Sequence, residues 1–262
     1  MWKIAVLGGT GYLGTIIKNQ NNNKKIKFKF FSRKKKTKNY LNYFSFKKNI
    51  NKLKDFDIIL HLAGPNQNQL KKNQSLLKKK LLITSNICDL CLANNIKLIY
   101  LSSMQVYKDY GLNNISLNSK INYKNYYSRS HYESEKIIIK KFLNHKKMFT
   151  ILRMGNVFGF KKYDNLNKMN DNLIHSLSIS ALKKKKILIQ NGSVQRSFIP
   201  SEIFVNIINS IVKINYFKNS KINISYKILN LKEVAQLIQK RLIKIFNFKK
   251  KIIIKKFNKE IK

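Results

Sequence analysis

Seven residues near the start of the chain, Gly8-Gly9-Thr10-Gly11-Tyr12-Leu13-Gly14, have the types and spacing that cradle phosphate. They follow the apolar run Ile4–Leu7 and open an amphipathic stretch from Tyr12 to Lys18. The glycines read GxGxxG from Gly9 and GxxGxxG from Gly8. Glycine at such positions permits a tight turn, brings backbone N–H groups close to a pyrophosphate and lets helix and strand pack closely. The helix that follows turns the positive end of its dipole towards the same anion. A strand before and a helix after make this a dinucleotide site, with Gly8, Thr10, Gly11, Tyr12, Leu13 and Gly14 as its lining.

An NAD site of this kind places an acid about 20 residues further on, at the end of the second strand, to hold the ribose 2′-hydroxyl. Here that strand ends Phe30-Phe31-Ser32-Arg33-Lys34, and the first acidic residue of the chain is Asp55. Ser32 and Arg33 suit a 2′-phosphate instead. An arginine fork grips phosphate through two bonds and stacks on adenine, which lysine cannot do. The expected cofactor is NADP, with NAD as the alternative.

Such a loop needs a rigid sheet behind it. Ile4–Leu7, Ile26–Phe31, Ile58–Leu62, Leu98–Ser102 and Phe149–Arg153 read as strands, with helical stretches near 12–18, 69–93 and 128–144 between them. Strands alternating with helices imply parallel crossovers, so the fold class is α/β, a Rossmann-type doubly wound parallel sheet. After residue 155 the pattern loosens into helices near 172–183, 201–214 and 231–245 and a strand at 187–189. Residues 1–155 are therefore read as the dinucleotide-binding domain. Residues 156–262 are read as a smaller substrate lobe, partly interleaved with the first.

Lysine and arginine number 54 against 11 acids, a formal net charge of +43. That balance alone points to nucleic acid. Only five of these cations are arginine, however, while Asn numbers 34 and Ala five, the signature of A/T-rich coding. The lysines are dispersed and no aromatic-plus-basic RNA motif accompanies them, so neither a specific nucleic-acid partner nor a membrane partner is expected. No apolar run approaches the roughly 18 residues of a membrane span, and the N-terminal apolar block is too short for a signal peptide. The expected location is the cytoplasm. Cys88 and Cys91 form a lone CxxC, read as buried helix residues without a metal.

Further motifs follow in order: His61-Leu62-Ala63-Gly64, Tyr100-Leu101-Ser102-Ser103-Met104-Gln105-Val106-Tyr107, Tyr127-Ser128-Arg129-Ser130 and Leu152-Arg153-Met154-Gly155-Asn156-Val157-Phe158-Gly159. Together with the glycine loop they resemble the extended short-chain dehydrogenase/reductases of the NAD-dependent epimerase/dehydratase family. The resemblance runs from residue 3 to about 213, and the chain is short for an extended member, which implies a trimmed substrate lobe. It implies that Leu62, Ala63, Gly64 and Ser102 line the cofactor. It also implies that Ser103 and Tyr127 form the acid–base site, and that a lysine four residues after the tyrosine lowers the phenol pKa. A phenol near pKa 10 needs a neighbouring cation to work near neutrality.

That lysine is missing. Tyr132 and Lys136 satisfy YxxxK literally, but Tyr127 keeps the following serine, the Glu135 position and a 24-residue spacing from Ser103 that resembles the family better. In the Tyr127 register His131 stands where lysine belongs, one helical turn away. A protonated imidazole there could replace the ammonium over a lower pH range. Met104 and Gln105 occupy the places of the family's dehydratase acid–base pair, which disfavours a 4,6-dehydratase. The segment Asn191–Ile199 resembles the family stretch around a diphosphate-binding arginine, which implies Arg196 at the substrate; Asn156 is the second candidate there. His61 is read as structural. The expected protein is an NAD(P)-dependent sugar-nucleotide epimerase or 4-keto-reductase supplying polysaccharide precursors, with a homodimer expected by analogy. The alternative is a catalytically impaired cofactor-binding protein of the same fold.

Overall fold

Six parallel strands make the central sheet of the computed structural model, in the spatial order β2-β1-β3-β4-β5-β9. They are β1 (Trp2–Leu7), β2 (Ile26–Phe31), β3 (Ile58–His61), β4 (Lys97–Ser103), β5 (Phe149–Met154) and β9 (Ser220–Ile224). The structure describes residues 1–32, 39–41, 52–108, 110–111, 114–146, 148–159, 173–184, 187–189, 191–246 and 253–254. The flanking helices are α1 (Tyr12–Gln20), α2 (Gln67–Lys72), α3 (Ser75–Ala93), α4 (Tyr126–Lys141) and α6 (Ser201–Lys213).

Successive strand residues face opposite sides, so each strand feeds two cores. Ala5, Leu7, Ile59, Leu98, Tyr100 and Ile151 meet Ile83, Ile87, Cys88 and Ile138 of α3 and α4. Ile4, Val6, Leu60, Ile99 and Leu152 meet Ile16 and Ile17 of α1 and Phe204, Val205 and Ile208 of α6. Burial on both faces explains why these strands read as continuous apolar runs. Cys88 and Cys91 are free and buried in the first of these cores, where desolvation pushes the Cys88 thiol up to about 12.

The helix expected over 69–93 is two helices. Asn66 and Gln69 form a capping box at the start of α2, and the Asn73 N–H closes its end on the Gln69 carbonyl. The Asn73 carboxamide oxygen then accepts from the N–H and hydroxyl of Ser75, starting α3 afresh. Asparagine competes with the helical backbone in this way through its own side chain.

A second layer packs β6 (Asn156–Phe158), β8 (Gln195–Pro200) and β10 (Lys227–Asn230) into a three-stranded sheet. Helices α5 (Leu173–Lys184) and α7 (Leu231–Phe246) cover it through Leu177, Ala181, Val234, Ala235 and Leu242. The short strands β7 (Leu188–Ile189) and β11 (Ile253–Ile254) pair beside it. Strand β9 then returns to the edge of the main sheet next to β5, so the chain crosses between the two layers more than once.

Candidate active site

Strand β1 has β2 on one side and β3 on the other, and the chain reverses its winding between β1 and β3. Ligands of open parallel sheets bind beyond the strand ends at such a switch point. The glycine loop lies there. Gly8 has φ +99, a backbone that favours glycine, and a side chain on it would meet the Ala63 backbone N at 3.0 Å. Gly9 lies against Phe30, where a Cβ would fall 2.6 Å from the Phe30 Cβ. Both Gly8 and Gly9 N–H groups donate to the Phe31 carbonyl. Thr10 and Gly11 are exposed at the mouth, and Gly11 begins α1 with no side chain bonding its first N–H groups. Tyr12 reaches across to donate to the Gly159 carbonyl at 2.9 Å, Leu13 packs into the core beneath, and Gly14 lets α1 sit on the loop.

These features fit a dinucleotide. The first N–H groups of α1 have no side-chain cap, Gly8, Gly9 and Gly14 have no room for side chains, and Leu62-Ala63-Gly64 after β3 forms the facing wall. Ser32 is 4% exposed and its hydroxyl shares a 2.9 Å hydrogen bond with Thr10, tying the end of β2 to the loop. Arg33 lies outside the described residues.

Ser103 ends β4, where its hydroxyl accepts from the Gln105 N–H at 3.2 Å and lies near enough to the Tyr127 phenol, on the first turn of α4, to lower its pKa. Asn125 caps this helix by accepting from the Tyr127 N–H at 2.8 Å, which fixes where the phenol emerges. His131 lies edge-on to Tyr127, with ring centres 4.6 Å apart, and its Nδ1 shares a 3.2 Å hydrogen bond with the Tyr100 hydroxyl. The structure thus brings Ser103, Tyr127 and His131 together. Burial raises the Tyr127 pKa, and the Ser103 hydroxyl pulls it back.

His131 does not supply the missing cation. Burial, then the charges of Lys80 and His61, hold its pKa well below the ordinary value. An imidazolium there, the role the sequence allowed, is disfavoured by burial and by the Lys80 amine beside it. His61 is also buried, bonded to the Thr84 hydroxyl at 3.3 Å, with its pKa lowered to about 3 by desolvation and then by Lys80. An unfolded chain binds protons on such histidines below about 6.5 while the folded one does not. Stability must therefore fall as pH drops from about 6.5 towards 3, by up to about 1.4 kcal/mol per pH unit for each group. Acid unfolding followed by circular dichroism should show this slope, and His61→Gln should flatten it.

Tyr132 packs edge-on with Tyr123 at 5.5 Å, and Lys136 is exposed and paired with Glu133 at 2.8 Å. Ser102 requires a correction. Its buried hydroxyl donates to Glu135 at 2.5 Å, so its proton is committed inward rather than to a cofactor. Glu135 in turn receives Arg153, with Nε and Nη2 at 2.9 and 2.5 Å from its two oxygens, and both side chains are 1% exposed. Arg153 Nη1 donates to the Tyr107 hydroxyl, which donates to Asn223 of β9. This chain of bonds ties α4, β4, β5 and β9 together directly behind Tyr127. Sequence reading left Arg153 open between a site and a structural role; its buried ion pair is structural.

On the second layer, Asn156 donates to the Ser197 carbonyl at 3.2 Å and to the Tyr110 hydroxyl at 3.4 Å. Arg196 stacks over the Tyr110 ring at 5.0 Å, and its Nη1 is held by the carbonyls of Tyr110 and Gln195. Gly111, with φ +100, leaves the space that the Arg196 guanidinium fills. Tyr110 therefore joins two motif residues that lie 40 apart in sequence. Sequence reading missed it, because among 13 tyrosines it lies outside the glycine, arginine and YxxxK patterns.

A glycine loop at the switch point of a parallel sheet, faced by the loop after β3, defines a Rossmann-type dinucleotide-binding protein. The sequence profile of the NAD dependent epimerase/dehydratase family matches residues 4–224, and the chain belongs to that family. The fold is similar to UDP-N-acetylglucosamine 4-epimerase from Bacillus cereus, with a TM-score of 0.80 and 24% identity over 98% of this chain and 86% of that one. It is similar to the UDP-Glc/GlcNAc 4-epimerase of Campylobacter jejuni, with a TM-score of 0.77, 19% identity and coverage of 98% and 87%. It also resembles dTDP-glucose 4,6-dehydratase from Bacillus anthracis in complex with NAD, with a TM-score of 0.78, 17% identity and coverage of 98% and 85%. No curated protein sequence matches the chain.

Proposed function

We propose that the protein is an NAD(P)-dependent sugar-nucleotide epimerase or 4-keto-reductase with Ser103 and Tyr127 as its acid–base pair. The observation that carries this reading is the approach of Tyr127 to Ser103 at the carboxyl end of β4, the same end of the parallel sheet as the glycine loop. Tyr127 takes the proton of a sugar hydroxyl as its phenolate in oxidation and, as the phenol, returns one to the carbonyl oxygen in reduction, while Ser103 donates to that same oxygen. A bound nicotinamide supplies or accepts the hydride. Gly8, Thr10, Gly11, Tyr12, Leu13 and Gly14 would hold the pyrophosphate end, with Ala63 and Gly64 opposite.

Ser32 and Arg33 favour NADP over NAD. The layer beyond residue 155, interleaved with the first through β9, is the substrate lobe, and Arg196 with Asn156 is its contact for a diphosphate. The neighbours named for UDP-sugar 4-epimerases support the substrate class, and Met104 and Gln105 weigh against dehydration.

The test incubates purified protein with UDP- and dTDP-hexoses and their 4-keto forms, with NADH or NADPH, and identifies products by mass spectrometry and NMR. A C4 epimer or a reduced 4-hydroxyl product is expected, with tighter NADPH than NADH binding. A second reading, supported by the neutral His131, is a cofactor-binding protein without turnover. Dinucleotide binding with every sugar returned unchanged would establish it.

A further inference from the structure

Helix α3 carries Lys78, Lys79 and Lys80, of which the first two are exposed and the third is 2% exposed. Among the described residues Lys80 is the lysine that is buried. It takes part in none of the ion pairs among those residues. Its Nζ donates to the Ser130 hydroxyl at 3.1 Å and lies 6.0 Å from the centre of the Tyr127 ring. Ser130 Oγ in turn donates to the Tyr127 carbonyl at 2.7 Å, so one serine holds both residues. The lysine stem runs beside Gly64, where a Cβ would come within 3.3 Å of its Cε. An ammonium buried without a bonded carboxylate costs stability and calls for a reason.

We propose that Lys80, reaching in from α3, is the positioning cation of the acid–base site and conditions Tyr127 from the side that His131 leaves uncharged. The groups around it are His61 from β3, Tyr100 from β4, and Tyr127, His131 and Glu135 from α4, with Arg153 of β5 paired to Glu135. Burial lowers the Lys80 pKa to about 7, with Glu135 partly opposing, and burial raises that of Tyr127. Each charge alone is therefore disfavoured. Phenolate and ammonium together have no net charge, so loss of the Tyr127 proton beside the Lys80 ammonium relieves both penalties.

The inference rests on Tyr127 being the acid–base group, but its test needs no substrate. Absence of turnover would sink the proposed function without touching this result. Protein labelled at tyrosine 13Cζ is titrated by NMR without cofactor, with the Tyr127 signal assigned from its loss in Tyr127→Phe. Lys80→Gln, which can keep the hydrogen bond to Ser130, and Lys80→Met remove the charge, and circular dichroism verifies their fold. In either variant the Tyr127 midpoint should rise by about one pH unit or more, as for a phenol losing a nearby cation. His131→Gln should move it by less than about half a unit, since a neutral ring contributes no charge. A wild-type phenol still protonated at pH 11, agreement of wild type and Lys80→Gln within about 0.3 unit, or an equal shift from His131→Gln would each overturn the proposal.

Discussion

Tyr127→Phe should lower turnover by about 10²–10⁴-fold, the range carried by one positioned acid–base group. The substitution removes a hydroxyl and keeps the ring, so the edge-on contact with His131 and the Asn125 cap survive. Dinucleotide affinity, measured by fluorescence quenching, should stay within a few-fold of wild type, because the loop between β1 and α1 is untouched. Tyr132→Phe should leave turnover intact, since Tyr132 packs on Tyr123 while its would-be partner Lys136 is exposed and bonded to Glu133. The reverse pattern, with loss in Tyr132→Phe and activity in Tyr127→Phe, would place the chemistry in the literal YxxxK register.

Arg153→Met should destabilise the fold by about 3–5 kcal/mol, the cost of leaving one member of a buried ion pair alone. Glu135 would then be 1% exposed with no cation bonded to it, and the Tyr107–Asn223 link to β9 would lose its third member. Glu135→Gln should cost a similar amount, because it leaves the Arg153 guanidinium buried without a counter-charge and turns one acceptor oxygen into an NH2 facing the same donors. Urea denaturation of both single variants and of the double variant measures the coupling. A double variant more stable than Arg153→Met alone is expected, because no unpaired charge remains. Additive losses would show that the pair contributes nothing as a pair. If the network also holds Tyr127 in place, Glu135→Gln should lower kcat more than it raises KM.

Some of this was legible in the residues as a string. The glycine loop and the five parallel strands from β1 to β5 depend on local spacing and on apolar runs. Those patterns exist because glycine is required where backbones nearly touch, as at Gly9 against Phe30, and because the inner strands β1, β3, β4 and β5, buried on both faces, are mostly apolar, while the edge strand β2 alternates with exposed lysines. Strand β9 was not legible. It is an edge strand with half-buried positions throughout, so no burial pattern marks it. The break at Asn73 was hidden because a side-chain oxygen, not a proline or glycine, interrupts the helix.

Lys80 lies between these cases. It falls in phase with Ile83, Thr84, Ile87, Cys88 and Cys91 on the buried face of α3, a signal present in the sequence. In a chain with 54 lysines and arginines, one more lysine in a run carried no contrast. The sequence alone determined the family and the Rossmann-type fold that carries the glycine loop. Tertiary structure alone decided which charges surround Tyr127, because burial sets protonation and depends on packing between segments far apart in the chain. Packing silenced His131, committed Ser102 to Glu135, locked Arg153 into an ion pair and carried Lys80, 47 residues upstream in the sequence, to the ring of Tyr127.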